Sequence, residues 1–97
     1  MEVTNVDFFT MKPSKGLLGF ASVILDGQLY LGSIAVFVRP DTGDIRLSFP
    51  QKQLFNKKVN YFLPLAPELN GKILEAVRTK LNELQEKSEQ KNNEVYE

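Results

Sequence analysis

A chain of 97 residues, 42% of them hydrophobic, allows one domain near the lower size limit for an unstapled core. Cysteine and histidine are both absent, which excludes disulfides, thiolate and imidazole metal sites and the usual catalytic triads. Twelve basic and twelve acidic residues cancel, so any charged surface must come from local segregation.

Met1 to Thr10 has no basic region ahead of an apolar run and so does not read as a signal peptide. A first strand is expected over Glu2 to Met11, followed by the turn-like KPSKG at Lys12 to Gly16. Leu17 to Leu25 and Gln28 to Val38 then read as a hairpin around Asp26-Gly27, a strong short-range turn signal. The apolar stretch from Phe20 to Val38 has the length of a bilayer span. The turn pair in its middle and its β-favouring residues argue instead for two strands of a soluble, cytoplasmic protein.

RPDTGD at Arg39 to Asp44 supplies the next turn. Ile45, Leu47 and Phe49 alternate with Arg46 and Ser48, the pattern of a strand with one wet face, and Pro50 ends it for want of a ladder donor. Gln51 to Asn60 is polar and basic and reads as an exposed loop or arm. Tyr61 to Leu65 reads as a short edge strand that tolerates Pro64.

Pro67 and Glu68 suit the first turn of a helix, one by its fixed φ and the other by its charge near the helix N-terminus. Leu69, Ile73, Val77, Leu81 and Leu84 make one apolar stripe, widened by Leu74 and Ala76. Lys72, Glu75, Asn82, Glu83 and Glu86 form the opposite, solvated side. From Gln85 onward no apolar partner recurs, and a frayed or disordered tail is expected over residues 85–97 after a single domain over 1–84. The fold class is therefore α+β: an antiparallel sheet of four to five strands with one long C-terminal helix.

One helix covers one face of a sheet, yet the hairpin is apolar on both parities. Leu29, Leu31 and Phe37 fall on one, and Tyr30, Ile34, Val36 and Val38 on the other. Each such side chain left exposed forgoes about 1.5–3 kcal/mol of burial. A second copy of the chain is the simplest cover, so a homodimer is expected, with a closed monomeric core as the alternative.

Catalytic chemistry has little to stand on. Asp41 and Asp44 flank Gly43 but lack the further oxygen ligands of a calcium loop, and Asp26 is accounted for by its turn. No phosphate-cradling glycine pattern occurs. Neither an enzyme, nor a cofactor, nor a small-molecule substrate, nor a membrane partner is expected.

The segment RLSFPQKQLFNKKVNYF differs. No acidic residue lies between Asp44 and Glu68, while Arg46, Lys52, Lys57 and Lys58 interleave with Phe49, Phe55, Tyr61 and Phe62. Cations neutralise phosphates and exposed rings stack on unpaired bases. Phe55, inside the polar stretch, is the ring expected at the surface, while Phe49 and Phe62 belong to the core. The competing reading is a solvated connection between strands.

MEVTNV at the start, FASVILD at Phe20 to Asp26, IAV at Ile34 to Val36, FPQK at Phe49 to Lys52, PL at Pro64-Leu65 and KILEAV at Lys72 to Val77 follow one another in order. Together they resemble the stage V sporulation protein G (SpoVG) family of bacterial septation regulators, over Met1 to about Leu84. The resemblance implies a small dimeric α/β fold and a regulator that binds DNA or RNA, linked to cell division, sporulation or gene expression. It carries Lys52 and Lys72 over as binding residues. The chain departs from that family at Gly32 to Val36, which replace a His-Asp-Ile-Arg-Val run. It departs also at Gln51, at Leu63, and at Asn70, where an Arg is common. The alternative to a nucleic-acid regulator is a protein-interaction (adaptor) module that contacts no nucleic acid.

Overall fold

The structure, a computed structural model, describes residues 1–95. Strands β1 (Val3–Ser14), β2 (Leu17–Leu25), β3 (Leu29–Val38) and β4 (Ile45–Ser48) form an antiparallel sheet in the order of the chain. Strands β5 (Gln51–Leu54) and β6 (Lys57–Asn60) form a separate two-stranded ribbon, and helix α1 (Pro67–Val95) follows. The α+β class is as expected, with six strands in two sheets. The extra pair comes from Gln51 to Asn60, read from sequence as a loop or arm.

Two tight turns set the meander. Lys15-Gly16 and Asp26-Gly27 each place both central residues at positive φ (54° and 86°, 53° and 64°), the mirror-image turn whose twist matches that of the strands. The first turn takes only the last two residues of KPSKG, so β1 runs past Met11 to Ser14. It can carry Pro13 because it is an edge strand. Thr4 ties the second turn to β1: its hydroxyl donates to the Ile24 carbonyl (3.1 Å) and accepts from the Gly27 N–H (2.9 Å).

A one-residue bulge in β3 decides which side is apolar. Ala21 pairs with Ile34 and Val23 with Leu31, so Ser22 alone faces both Gly32 and Ser33, and Ser33 takes φ 60°. The side-chain parity of β3 flips across this step. Leu31, Ile34 and Val36 therefore all point to one face, where they are buried with Ala21, Val23 and Leu25. A similar step at Thr4 brings Val3, Val6 and Phe8 to the same side. Much of the doubly apolar character of β3 is thus resolved inside one chain.

Helix α1 lays Ile73 and Val77, both fully buried, across that face, with Leu69, Leu74 and Leu81 packed around them. Burying each is worth about 1.5–3 kcal/mol. The helical backbone continues past Leu84 to Val95, in keeping with the strong helix formers Gln, Glu and Lys in that stretch. The remainder of the tail expected there, residues 96–97, lies outside the described residues. Tyr61 to Leu65 is not a strand: Pro64 withholds a donor, Phe62 turns inward, and Tyr61, Leu63 and Leu65 are exposed.

No element among the described residues covers the other face of the four-stranded sheet. Phe9 sits opposite Phe20 there, Ile24 opposite Tyr30, and Phe37 opposite Arg46. Phe9 is 62% and Tyr30 64% exposed.

The β3–β4 turn is fastened to the helix. Asp44 accepts from the Ile45 N–H (2.8 Å) and from Arg78 Nε (3.2 Å) and Nη2 (3.0 Å), while Arg78 also pairs with Glu75. The Ile45 N–H, and after it the Arg78 guanidinium, hold the Asp44 carboxyl below its usual 3.8. Its lowered value makes a stability contribution that is present above 3.8 and lost as pH falls through the folded value. In Asp44→Asn the urea midpoint is expected to lie below wild type near neutrality and to fall less on acidification, which a pH series of urea titrations measures.

Gly19 is buried where β2 pairs with β1, opposite Thr10. A Cβ there would strike the Phe9 carbonyl oxygen and stand 2.9 Å from Phe8 Cζ. Gly19→Ala is expected to cost on the order of 3 kcal/mol. Gly71→Ala, at an open position of the helix, is expected to stabilise by roughly 1 kcal/mol. Thermal unfolding of the two variants should therefore move the midpoint in opposite directions.

Candidate nucleic-acid interface

The β5–β6 ribbon is built from residues with weak strand preference, and its base holds it in place. Phe49, buried, meets Phe62 edge-on at a ring-centroid distance of 6.0 Å. Just beyond, the Tyr61 N–H donates to the Pro50 carbonyl (3.0 Å) and Asn60 Nδ2 to the Phe49 carbonyl (3.4 Å). The core thus clamps both ends of the segment Gln51 to Asn60, while every residue from Gln51 to Val59 is exposed.

Register sorts the ribbon's side chains. Lys52 pairs with Val59 and Leu54 with Lys57, which puts these four on one face; Gln53 pairs with Lys58 on the other. Lys52 and Lys57 therefore flank an exposed apolar pair, and Lys58 points away from them. Phe55 occupies the tip at φ 54° and is 99% exposed, its carbonyl accepting from Gln53 Nε2 (3.1 Å). With three lysines and no acid, the ribbon carries +3.

The other two cations lie apart from this group. Arg46 is on the uncovered face of the sheet, its guanidinium 4.7 Å from the centre of the Phe37 ring. Lys72, on the helix, pairs with Glu2 and donates to the Met1 carbonyl (3.3 Å). Its hydrogen bond to Glu2, supported by the charges of Glu2, Glu68 and Asp26, holds its pKa above 10.5. The structure thus brings together Lys52, Phe55, Lys57 and Lys58, and separates them from Arg46 and Lys72.

Two features escaped sequence reasoning. Leu54 and Val59 interrupt the polar ribbon on its Lys52 face, and only the strand register reveals them as neighbours. The place of Tyr30 on the same uncovered face as Phe9 and Phe20 was hidden by the bulge in β3. Its available signal was Gly32 inside an otherwise apolar strand, a residue that marks bulges.

Depressions indent the body, among them these two. A cleft of 420 Å³ lies beside Asp44 and Arg78, and an apolar groove of 310 Å³ lies between Met1, Leu29, Phe62 and Leu65. No group of three acidic, His or Cys side chains among the described residues could hold a metal ion. Comparison with known proteins finds no family model that matches the chain and no curated protein that matches it.

Because the ribbon's lysines touch nothing in the core, replacing Lys52, Lys57 and Lys58 together with Ala is expected to leave the unfolding midpoint within a few degrees of wild type. Phe49→Ala should cost about 3–5 kcal/mol through the cavity it leaves at the clamp. Differential scanning calorimetry of the two variants checks both statements.

Proposed function

We propose that the chain is a dimeric nucleic-acid-binding regulatory protein that contacts phosphates through its basic ribbon. The observation that carries this reading is the exposed, acid-free ribbon with Lys52, Lys57 and Lys58, held out from the body by the Phe49–Phe62 clamp. A two-stranded ribbon fits the width of the major groove of B-DNA, and three lysines supply the counterion release that drives phosphate binding. Phe55 at the tip offers a free ring to an unpaired base. The regulatory role follows from the ordered resemblance to the septation regulators, which is an analogy of sequence rather than of site. A cytoplasmic location is in keeping with the absence of cysteine. Arg46 and Lys72 stand outside the proposed contact set, and no cofactor enters it.

A second reading, an adaptor that binds protein instead, draws support from the apolar groove, whose wall includes Leu65 at 88% exposure.

Fluorescence anisotropy with labelled single- and double-stranded DNA and RNA at several salt concentrations separates the two. The nucleic-acid reading expects a log–log salt slope on the order of −3 for one ribbon and −5 for two, at roughly −0.9 per neutralised phosphate. It expects the slope to collapse in the Lys52/Lys57/Lys58 to Ala variant. Phe55→Ala should weaken single strands by about 1–3 kcal/mol and leave duplex binding nearly unchanged. No binding at low salt, or binding indifferent to salt, would transfer the assignment to the adaptor.

A further inference from the structure

We infer that two copies of the chain pair through the uncovered face of the four-stranded sheet, each copy setting its Asp7 against the partner copy's Arg46. The inference rests on the dimeric part of the proposed function and names the surface that makes the dimer.

Three observations carry it. First, the face has the composition of an interface core rather than of a wet surface: Phe9, Phe20, Tyr30 and Phe37 lie on it with Ile24 and Ala35. Aromatic residues and Arg are the types enriched where proteins bury surface against each other. Second, small residues interrupt the rings. Ser22 and Ala35 adjoin Phe20, and Ser22 is only 4% exposed although no layer covers it, so the floor between the rings is recessed. A copy with the same relief can seat its rings in those recesses.

The third observation selects the occupant. Asp7 pairs with Ser22 on the edge strand β1, and Arg46 pairs with Phe37 on the opposite edge strand β4. The row Phe9–Phe20–Ala35–Ser48 runs between them. Acid and base therefore occupy opposite corners, with the aromatic row in the middle. A two-fold axis lying between two such faces, perpendicular to the corner-to-corner diagonal, carries each Asp7 onto the partner's Arg46 and brings the two Phe20 rows together. Isologous interfaces require this kind of self-complementary patch. A nucleic-acid backbone finds no net attraction there, since Asp7 cancels Arg46. The lysines of the ribbon are not consumed by the pairing, because none of Gln51 to Asn60 belongs to the face.

Sedimentation velocity over a concentration series tests the inference without nucleic acid present, so its outcome is read independently of whether the ribbon binds phosphates. Wild type is expected to approach twice the chain mass of 11.0 kDa. Asp7→Arg and Arg46→Asp are each expected to weaken association at least tenfold, by placing like charges opposite each other. The double variant D7R/R46D, which exchanges the two charges, should return to within a fewfold of wild type. Phe20→Lys should abolish pairing, with an unchanged circular dichroism spectrum showing that the chain still folds. Wild type remaining at 11.0 kDa at the highest attainable concentration would overturn the inference. So would single variants that pair as wild type does, or a double variant no tighter than the singles. An oligonucleotide lost on Phe20→Lys while wild type stays monomeric would reassign the face to base stacking.

Discussion

The bulge at Gly32 and Ser33 is the feature on which the rest of the molecule depends. With a single helix, the chain can seal one side of its sheet, and the apolar residues of β3 are divided between two parities. Opposing two residues of β3 to Ser22 alone moves Leu31 onto the side of Ile34 and Val36. Without that step, either Leu31 or the pair Ile34 and Val36 would face away from Ile73 and Val77. The same step leaves Tyr30 on the far side, where its ring lies over Gly32. The buried Leu31 and the outward Tyr30 are thus two results of one backbone irregularity.

The ribbon shows a different division of labour. Its strands contribute little to the core, and Phe49 and Phe62 anchor its ends on the helix-covered side. Stability and surface chemistry are therefore separable in this stretch. The inward rings answer for the first and the exposed lysines for the second. Lys72 illustrates the contrary case. Its charge is absorbed by Glu2, so it ties the helix to the start of β1 rather than extending the basic surface.

Strong local signals were readable from sequence. Asp26-Gly27 makes its turn, Ile45 and Phe49 face the core as their alternation implies, and the stripe of Leu69, Ile73, Val77 and Leu81 is the buried side of the helix. What could not be read depends on pairing between strands. QKQL and KKVN have little intrinsic strand preference, and their turn at Phe55-Asn56 lacks the glycine that usually announces a hairpin. Strict counting by twos fails across β3, because one extra residue inverts every later side chain. The basic character of the ribbon was evident from composition, whereas the division of Lys52 and Lys57 from Lys58 needed the register.

The order of elements also bears on how the molecule comes together. Each strand of the meander pairs with its immediate neighbour in the chain, so the sheet is built from local closures that form fast. The helix follows every strand, and only it can roof the side holding Ala21, Val23 and Ile34. During synthesis the sheet emerges with both sides bare, one awaiting Ile73 and Val77. In that interval the side that becomes the core has no cover, and exposed β-surface of this kind is what makes partly folded chains prone to stick to one another.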